Sequence, residues 1–124
     1  MGNTSYSATE YDEKVRKAEF DLLLCANIPL EYIQRRNIQF KYGEKDGQWD
    51  WVNIRTIIIN DKDEFDEFAT DKPTLVMIHG FGASGVMFFP ILKGLLEHYK
   101  IVLIDILGFA GSSKVSLSER TTTN

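Results

Sequence analysis

A five-residue apolar run, Thr74–Ile78, ends directly in His79-Gly80-Phe81-Gly82, with a further glycine at 85, and this junction constrains the chain most. A short continuous apolar run closed by turn residues reads as a strand buried on both faces of a parallel sheet. Parallel strands need a crossover, and the following residues supply one. Val86, Phe89, Leu92, Leu95 and Leu96 give residues 86–99 one apolar helical face, and residues 100–106 read as a second buried strand. Pro90 falls inside the helical stretch, so the helix kinks there or begins near it with the proline in its first turn. The expected unit is βαβ with a right-handed crossover.

Two further elements precede it. Tyr11, Val15, Ala18, Leu22 and Cys25 recur at helical spacing through residues 10–27, and Phe20, Leu23 and Leu24 widen that stripe. Glu10, Asp12 and Glu13 suit the first turn, and Pro29 ends the segment. The mixed charge of the polar face favours a helix packed on its own domain over one lying on a membrane. Ile38, Phe40 and Tyr42 then alternate with polar residues, Asp46-Gly47 signals a tight turn, and residues 54–59 are rich in β-branched side chains. These form an antiparallel hairpin. Trp49 and Trp51 flank Asp50 and point to one face; they read as core, with an exposed lipid- or partner-binding patch as the alternative. Residues 61–71 are strongly acidic but lack the spaced ligands and central glycine of a calcium loop, so they read as a solvated loop. The domain reading is a disordered terminus at 1–9, a helix and linker at 10–36, the sheet domain at 37–113 and a tail at 114–124.

Composition narrows the function. The 14 basic and 18 acidic residues leave a net charge of −4, which offers no field for a phosphate backbone and argues against nucleic-acid binding. Cys25 is the sole cysteine, so no internal disulfide or thiolate metal site can form, and a reducing, cytoplasmic setting is expected. No run approaches the ~20 apolar residues of a membrane-spanning helix. Gly2 is present, but Tyr6 stands where N-myristoylation needs Ser or Thr, so the terminus reads as simply polar. No cofactor and no metal are expected.

The chemistry suggested by residues 79–82 is oxyanion stabilisation. Acyl transfer aims fixed backbone N–H groups at a developing negative charge. A glycine turn after a parallel strand lets the backbone approach a ligand and point such a group into the crevice. One rival fits the same residues. Gly80, Gly82 and Gly85 match a dinucleotide fingerprint, and Asp105 lies where a ribose-binding acid belongs. His79 before the first glycine, the unexplained Gly-Phe-Ala-Gly-Ser-Ser after Asp105, and the preceding helix and hairpin weigh against it.

The segment from Thr74 to Gly85, with the helix and the stretch from Val102 to Ser113, resembles the N-terminal part of the α/β-hydrolases. That family's second mark is Asp-x-x-Gly-x-Gly-x-Ser. Asp105, Gly108 and Ser112 fit it, whereas Ala110 stands where the second glycine belongs and Gly111 follows, so the turn should differ slightly. The upstream residues, including Lys17-Ala18-Glu19, Leu22 to Cys25 and the hairpin, resemble the branch of lysophosphatidic-acid acyltransferases, lipase coactivators and N-acyl-phospholipid lipases. The resemblance implies a partial α/β-hydrolase fold, with the central strands and cap missing and one sheet edge exposed. It implies that the Phe81 backbone N–H is an oxyanion donor, that His79 and Gly80 shape the loop and that Gly82 assists. His79 is not then the catalytic base, Asp105 is a structural turn residue, and His98 is a surface residue near a helix end.

The family's nucleophile elbow, Gly-x-Ser-x-Gly, does not occur in these 124 residues. Ser84, Ser112 and Ser113 lack its spacing, and no later acid–histidine pair completes a triad. Ser116 and Glu119 have capping-box spacing with little chain beyond, which suggests truncation. The expected parent is a serine hydrolase or acyltransferase acting on lipid esters, with this chain inactive alone. The alternative is a non-catalytic protein contacting a lipase or a lipid surface, peripheral at lipid droplets or membranes.

Overall fold

The computed structural model describes residues 8–60 and 72–115. The readings made for residues 1–7, the acidic stretch 61–71 and the Ser116–Glu119 pair lie outside them, as do the side chains of Tyr11 and Asp12. Helix α1 (Ala8–Cys25) leads through a short 3-10 turn, Leu30–Tyr32, into β1 (Ile33–Lys45) and β2 (Gln48–Ile59). Strand β3 (Thr74–Ile78), a second 3-10 turn (Gly85–Phe88), α2 (Phe89–Leu96) and β4 (Lys100–Ile104) follow. One four-stranded sheet results, in the order β1-β2-β4-β3.

The hairpin forms as its sequence dictates. Lys45 pairs with Gln48 around Asp46 and Gly47. Both turn residues have positive φ, 56° and 76°, the geometry of a type I′ turn that Asp-Gly favours. β1 starts at Ile33, inside the stretch read from sequence as linker. β2 is antiparallel to β4 and β3 is parallel to it, so the expected β3–α2–β4 unit is present. Pro90 occupies the first turn of α2, where its missing N–H has no intrahelical partner to lose.

The core lies between one sheet face and both helices. Ile57 pairs with Leu103 and Ile59 with Ile101 across β2 and β4. Leu23 from α1 and Val86, Leu92 and Leu96 from the second helical region join them in one buried cluster.

Three sequence expectations need correction. The apolar stripe of α1 is rotated by about one residue, roughly 100°. Glu19, Leu23 and Ala26 are buried, while Ala18 and Cys25 are exposed. Strand β3 is not covered on both faces: Val76 and Ile78 are 50% and 59% exposed, and among the described residues β3 has a neighbouring strand only in β4. Trp49 and Trp51 are not core; they are 48% and 64% exposed.

Candidate functional site

The two motifs meet at the C-terminal ends of β3 and β4. His79 follows β3 and is buried, and Ile106 follows β4. The Ile106 N–H donates to His79 Nε2 at 2.9 Å, which leaves that nitrogen without a proton. His79 Nδ1 therefore carries the hydrogen and donates to the Gly80 carbonyl at 2.7 Å. Both ring nitrogens are thus committed to backbone groups. The Ala83 N–H also donates to Gly80 O, at 3.2 Å, closing a turn in which Gly82 has φ of 74°. In a trans peptide the C=O and N–H point in opposite directions. Gripping the Gly80 carbonyl from one side therefore turns the Phe81 N–H to the other. That N–H has no partner among the described residues, and space is open where a Gly80 side chain would stand.

Asp105 is the hub of the second motif. It is buried, and its carboxylate accepts from the Gly85 N–H at 2.7 Å and the Gly111 N–H at 3.0 Å. Gly85 allows this approach, because a Cβ there would lie 2.9 Å from Leu103 Cβ. The Ser112 hydroxyl donates to Asp105 O at 2.6 Å and accepts from the Arg55 N–H at 2.8 Å. Ser113 bonds Asn53 twice, N to O at 2.9 Å and Oγ from N at 2.8 Å. The turn after β4 is thereby sewn to β2. Ala110 adopts φ of 47°, so an alanine takes the left-handed conformation that the expected glycine would have supplied. Gly111 is needed for another reason: a Cβ there would meet Arg55 Cγ at 3.1 Å. Desolvation holds the Lys114 ammonium below the usual lysine value, with Asp105 acting in the opposite direction.

The aromatic side chains above the loops form a chain. Phe109 contacts His79 edge-on at 5.8 Å and Phe81 edge-on at 5.5 Å between centroids. Phe81 is 95% exposed.

Residues 73–121 match the family model for the alpha/beta hydrolase fold. The chain carries part of an α/β-hydrolase fold. It is 44% identical over 50 residues to a 1-acylglycerol-3-phosphate O-acyltransferase of Arabidopsis thaliana, covering 40% of this chain and 12% of that protein. It is 42% identical over 52 residues to a probable 1-acylglycerol-3-phosphate O-acyltransferase of Oryza sativa subsp. japonica, covering 42% of this chain and 13% of that one. Among solved structures it resembles a membrane phospholipase A, described as a novel bacterial virulence factor, with TM-score 0.50 and 25% identity over 86% of this chain and 26% of the other. The matched stretch is thus about an eighth of the curated relatives' length.

The dinucleotide reading fails at Asp105. Asp105 is buried and its carboxylate is engaged by two backbone N–H groups of the turns, so it does not stand open to a ribose. Asp105 is a turn residue, as the resemblance implies. His98 is exposed just after α2 and lies edge-on to Tyr99. The hydroxyls of Ser112 and Ser113 serve the backbone. Among the described residues no cluster of His, Cys, Asp or Glu could hold a metal, and no helix is long and apolar enough to cross a membrane.

Sequence reasoning missed the support beneath the turn. Arg55 is fully buried in β2 and bonds Asn37 Oδ1 at 3.0 Å and Glu19 Oε2 at 3.3 Å. Arg35 reaches the same Glu19 oxygen at 3.4 Å. The available signal was a charged residue interrupting each apolar stretch: Arg55 among isoleucines, and Glu19 beside Phe20.

Proposed function

We propose that residues 72–115 form the oxyanion-loop half of a serine hydrolase or acyltransferase that acts on lipid esters. The observation that carries this reading is the Gly80–Phe81 peptide, whose carbonyl is held by His79 and whose N–H faces away from it. In this role Phe81 supplies one oxyanion donor through its backbone. His79 and Gly80 set the peptide plane, and Gly82 provides the positive φ of the turn. Because one donor cannot complete the chemistry, the second donor and the nucleophilic serine come from elbow residues outside these 124. The acyltransferase names of the plant relatives and the phospholipase name of the structural neighbour support lipid esters as the substrate class.

The reading is tested with the complete product of the gene and with the 124-residue chain, each treated with a fluorophosphonate probe and a lysophospholipid. The complete product should label at one serine and hydrolyse or transfer acyl groups, and the 124-residue chain should do neither. Labelling of the isolated chain with enzyme-like ester hydrolysis would overturn the assignment, as would an inert complete product.

A further inference from the structure

His79 joins the two loops of the site through a bond that only a neutral ring can make. The ring is buried, and its Nε2 accepts from the Ile106 N–H at 2.9 Å. Its Nδ1 donates to the Gly80 carbonyl at 2.7 Å. Protonation leaves the second bond intact, because Nδ1 already carries a hydrogen. It destroys the first, because an imidazolium has two donors and no acceptor. A hydrogen on Nε2 would face the Ile106 N–H, donor against donor. Histidine is the side chain whose ordinary charge change falls between about pH 5 and 8.

The charged groups around the ring are bonded elsewhere. Residues 74–92 contain no other titratable side chain, so β3, the glycine loop and the first turn of α2 bring neither acid nor base. The turn after β4 brings Asp105 and Lys114. The Asp105 carboxylate is engaged by the Gly85 and Gly111 N–H groups. The Lys114 ammonium donates to the carbonyls of Ala110 at 2.7 Å and Ser112 at 3.4 Å. On β2, Arg55 is directed to Asn37 and Glu19. The remaining neighbour is apolar: Phe109, edge-on at 5.8 Å. Among the described residues no carboxylate bonds either ring nitrogen.

We propose that His79 is a proton-operated latch between the oxyanion loop and the turn after β4, closed while the ring is neutral and open once it is protonated. As pH falls through the titration of the ring, the Ile106 link is lost and the His79–Gly80 bond persists. The loop then keeps its own turn but parts from the turn beside it. The Phe81 N–H, oriented by the Gly80 peptide, loses its fixed place relative to β4. That consequence for turnover rests on the oxyanion reading. The latch itself does not, and it is read without turnover in a chain that lacks a triad, so the two can fail separately.

The experiment is nitrogen-15 NMR of the 124-residue chain from about pH 8 to about pH 5. At the upper end the His79 ring should show the Nδ1–H tautomer. On acidification Nε2 should gain a proton, and over the same interval the Ile106 amide should lose its hydrogen-bonded shift. Its exchange, corrected for the intrinsic effect of pH, should accelerate by about 10–100-fold, while the amides of the β1–β2 hairpin keep their protection. His98, the second histidine, is exposed, and His98→Gln should leave the transition at Ile106 in place. His79→Asn has no titratable ring and should abolish it. Protonation of His79 with Ile106 unchanged would overturn the proposal. A ring that stays neutral until the whole chain unfolds would overturn it too, as would an Ile106 transition that persists in a folded His79→Asn variant.

Discussion

Replacing Asp105 with asparagine should loosen the junction between the two motifs more than any other isosteric change there. The carboxylate accepts two buried backbone N–H groups, Gly85 at 2.7 Å and Gly111 at 3.0 Å. A hydrogen bond to a charged acceptor contributes about 1.5–3 kcal/mol, and a buried donor left unsatisfied costs about 1–3 kcal/mol. The amide oxygen can keep one of the two bonds. Its NH2 then faces the other N–H, donor against donor. The expected loss for Asp105→Asn is therefore about 2–4 kcal/mol, with no discount for solvent, because Asp105 is buried. Urea unfolding followed by circular dichroism should show this as a midpoint lowered by roughly 1–3 M for a chain of this size. Amide hydrogen exchange at Gly85 or Gly111 should accelerate markedly, while exchange in the β1–β2 turn should follow only the global change. A loss below about 1 kcal/mol with both amides still protected would refute the assigned role of the carboxylate.

Further substitutions test the support and the turn. Glu19→Leu takes the carboxylate from fully buried Arg55 and should cost about 3–5 kcal/mol, whereas Arg55→Met leaves Glu19 its Arg35 contact and should cost less; a double-mutant cycle in urea showing no coupling would contradict the ion pair. Ala110→Gly relieves a left-handed alanine, worth about 1–2 kcal/mol, against a glycine entropy cost of about 0.4–1 kcal/mol, so thermal unfolding should show a net gain of about 0.5–1 kcal/mol.

What was legible in the sequence was local. The Asp46-Gly47 turn, the proline at the start of α2 and the β3–α2–β4 unit follow from backbone chemistry that acts within a few residues. His79 and Asp105 were legible as a site because the spacing of two glycine-rich turns after two strands is itself a pattern. The rotation of α1 was not legible. It is set by Glu19 meeting Arg55, residues 36 positions apart, and hydrophobic periodicity carries no term for a buried ion pair. The exposure of Trp49 and Trp51 was missed for a related reason: alternation says which face a side chain takes, not whether anything covers that face. The same holds for Val76 and Ile78, whose β-branched run reads as buried while β3 lies at the sheet edge.

The central claim is that the Phe81 backbone N–H stabilises an oxyanion, and the side chain's 95% exposure makes this testable by backbone substitution. In the complete gene product, Phe81→Pro deletes that N–H, whereas Phe81→Ala keeps it. The measurement is kcat for hydrolysis or transfer of a lipid ester, with the unfolding temperature of each variant recorded alongside. Phe81→Pro should lower kcat by about 10²–10³ at near-unchanged unfolding temperature, and Phe81→Ala should stay within a few-fold of the parent. Equal turnover by a folded Phe81→Pro variant would contradict the account.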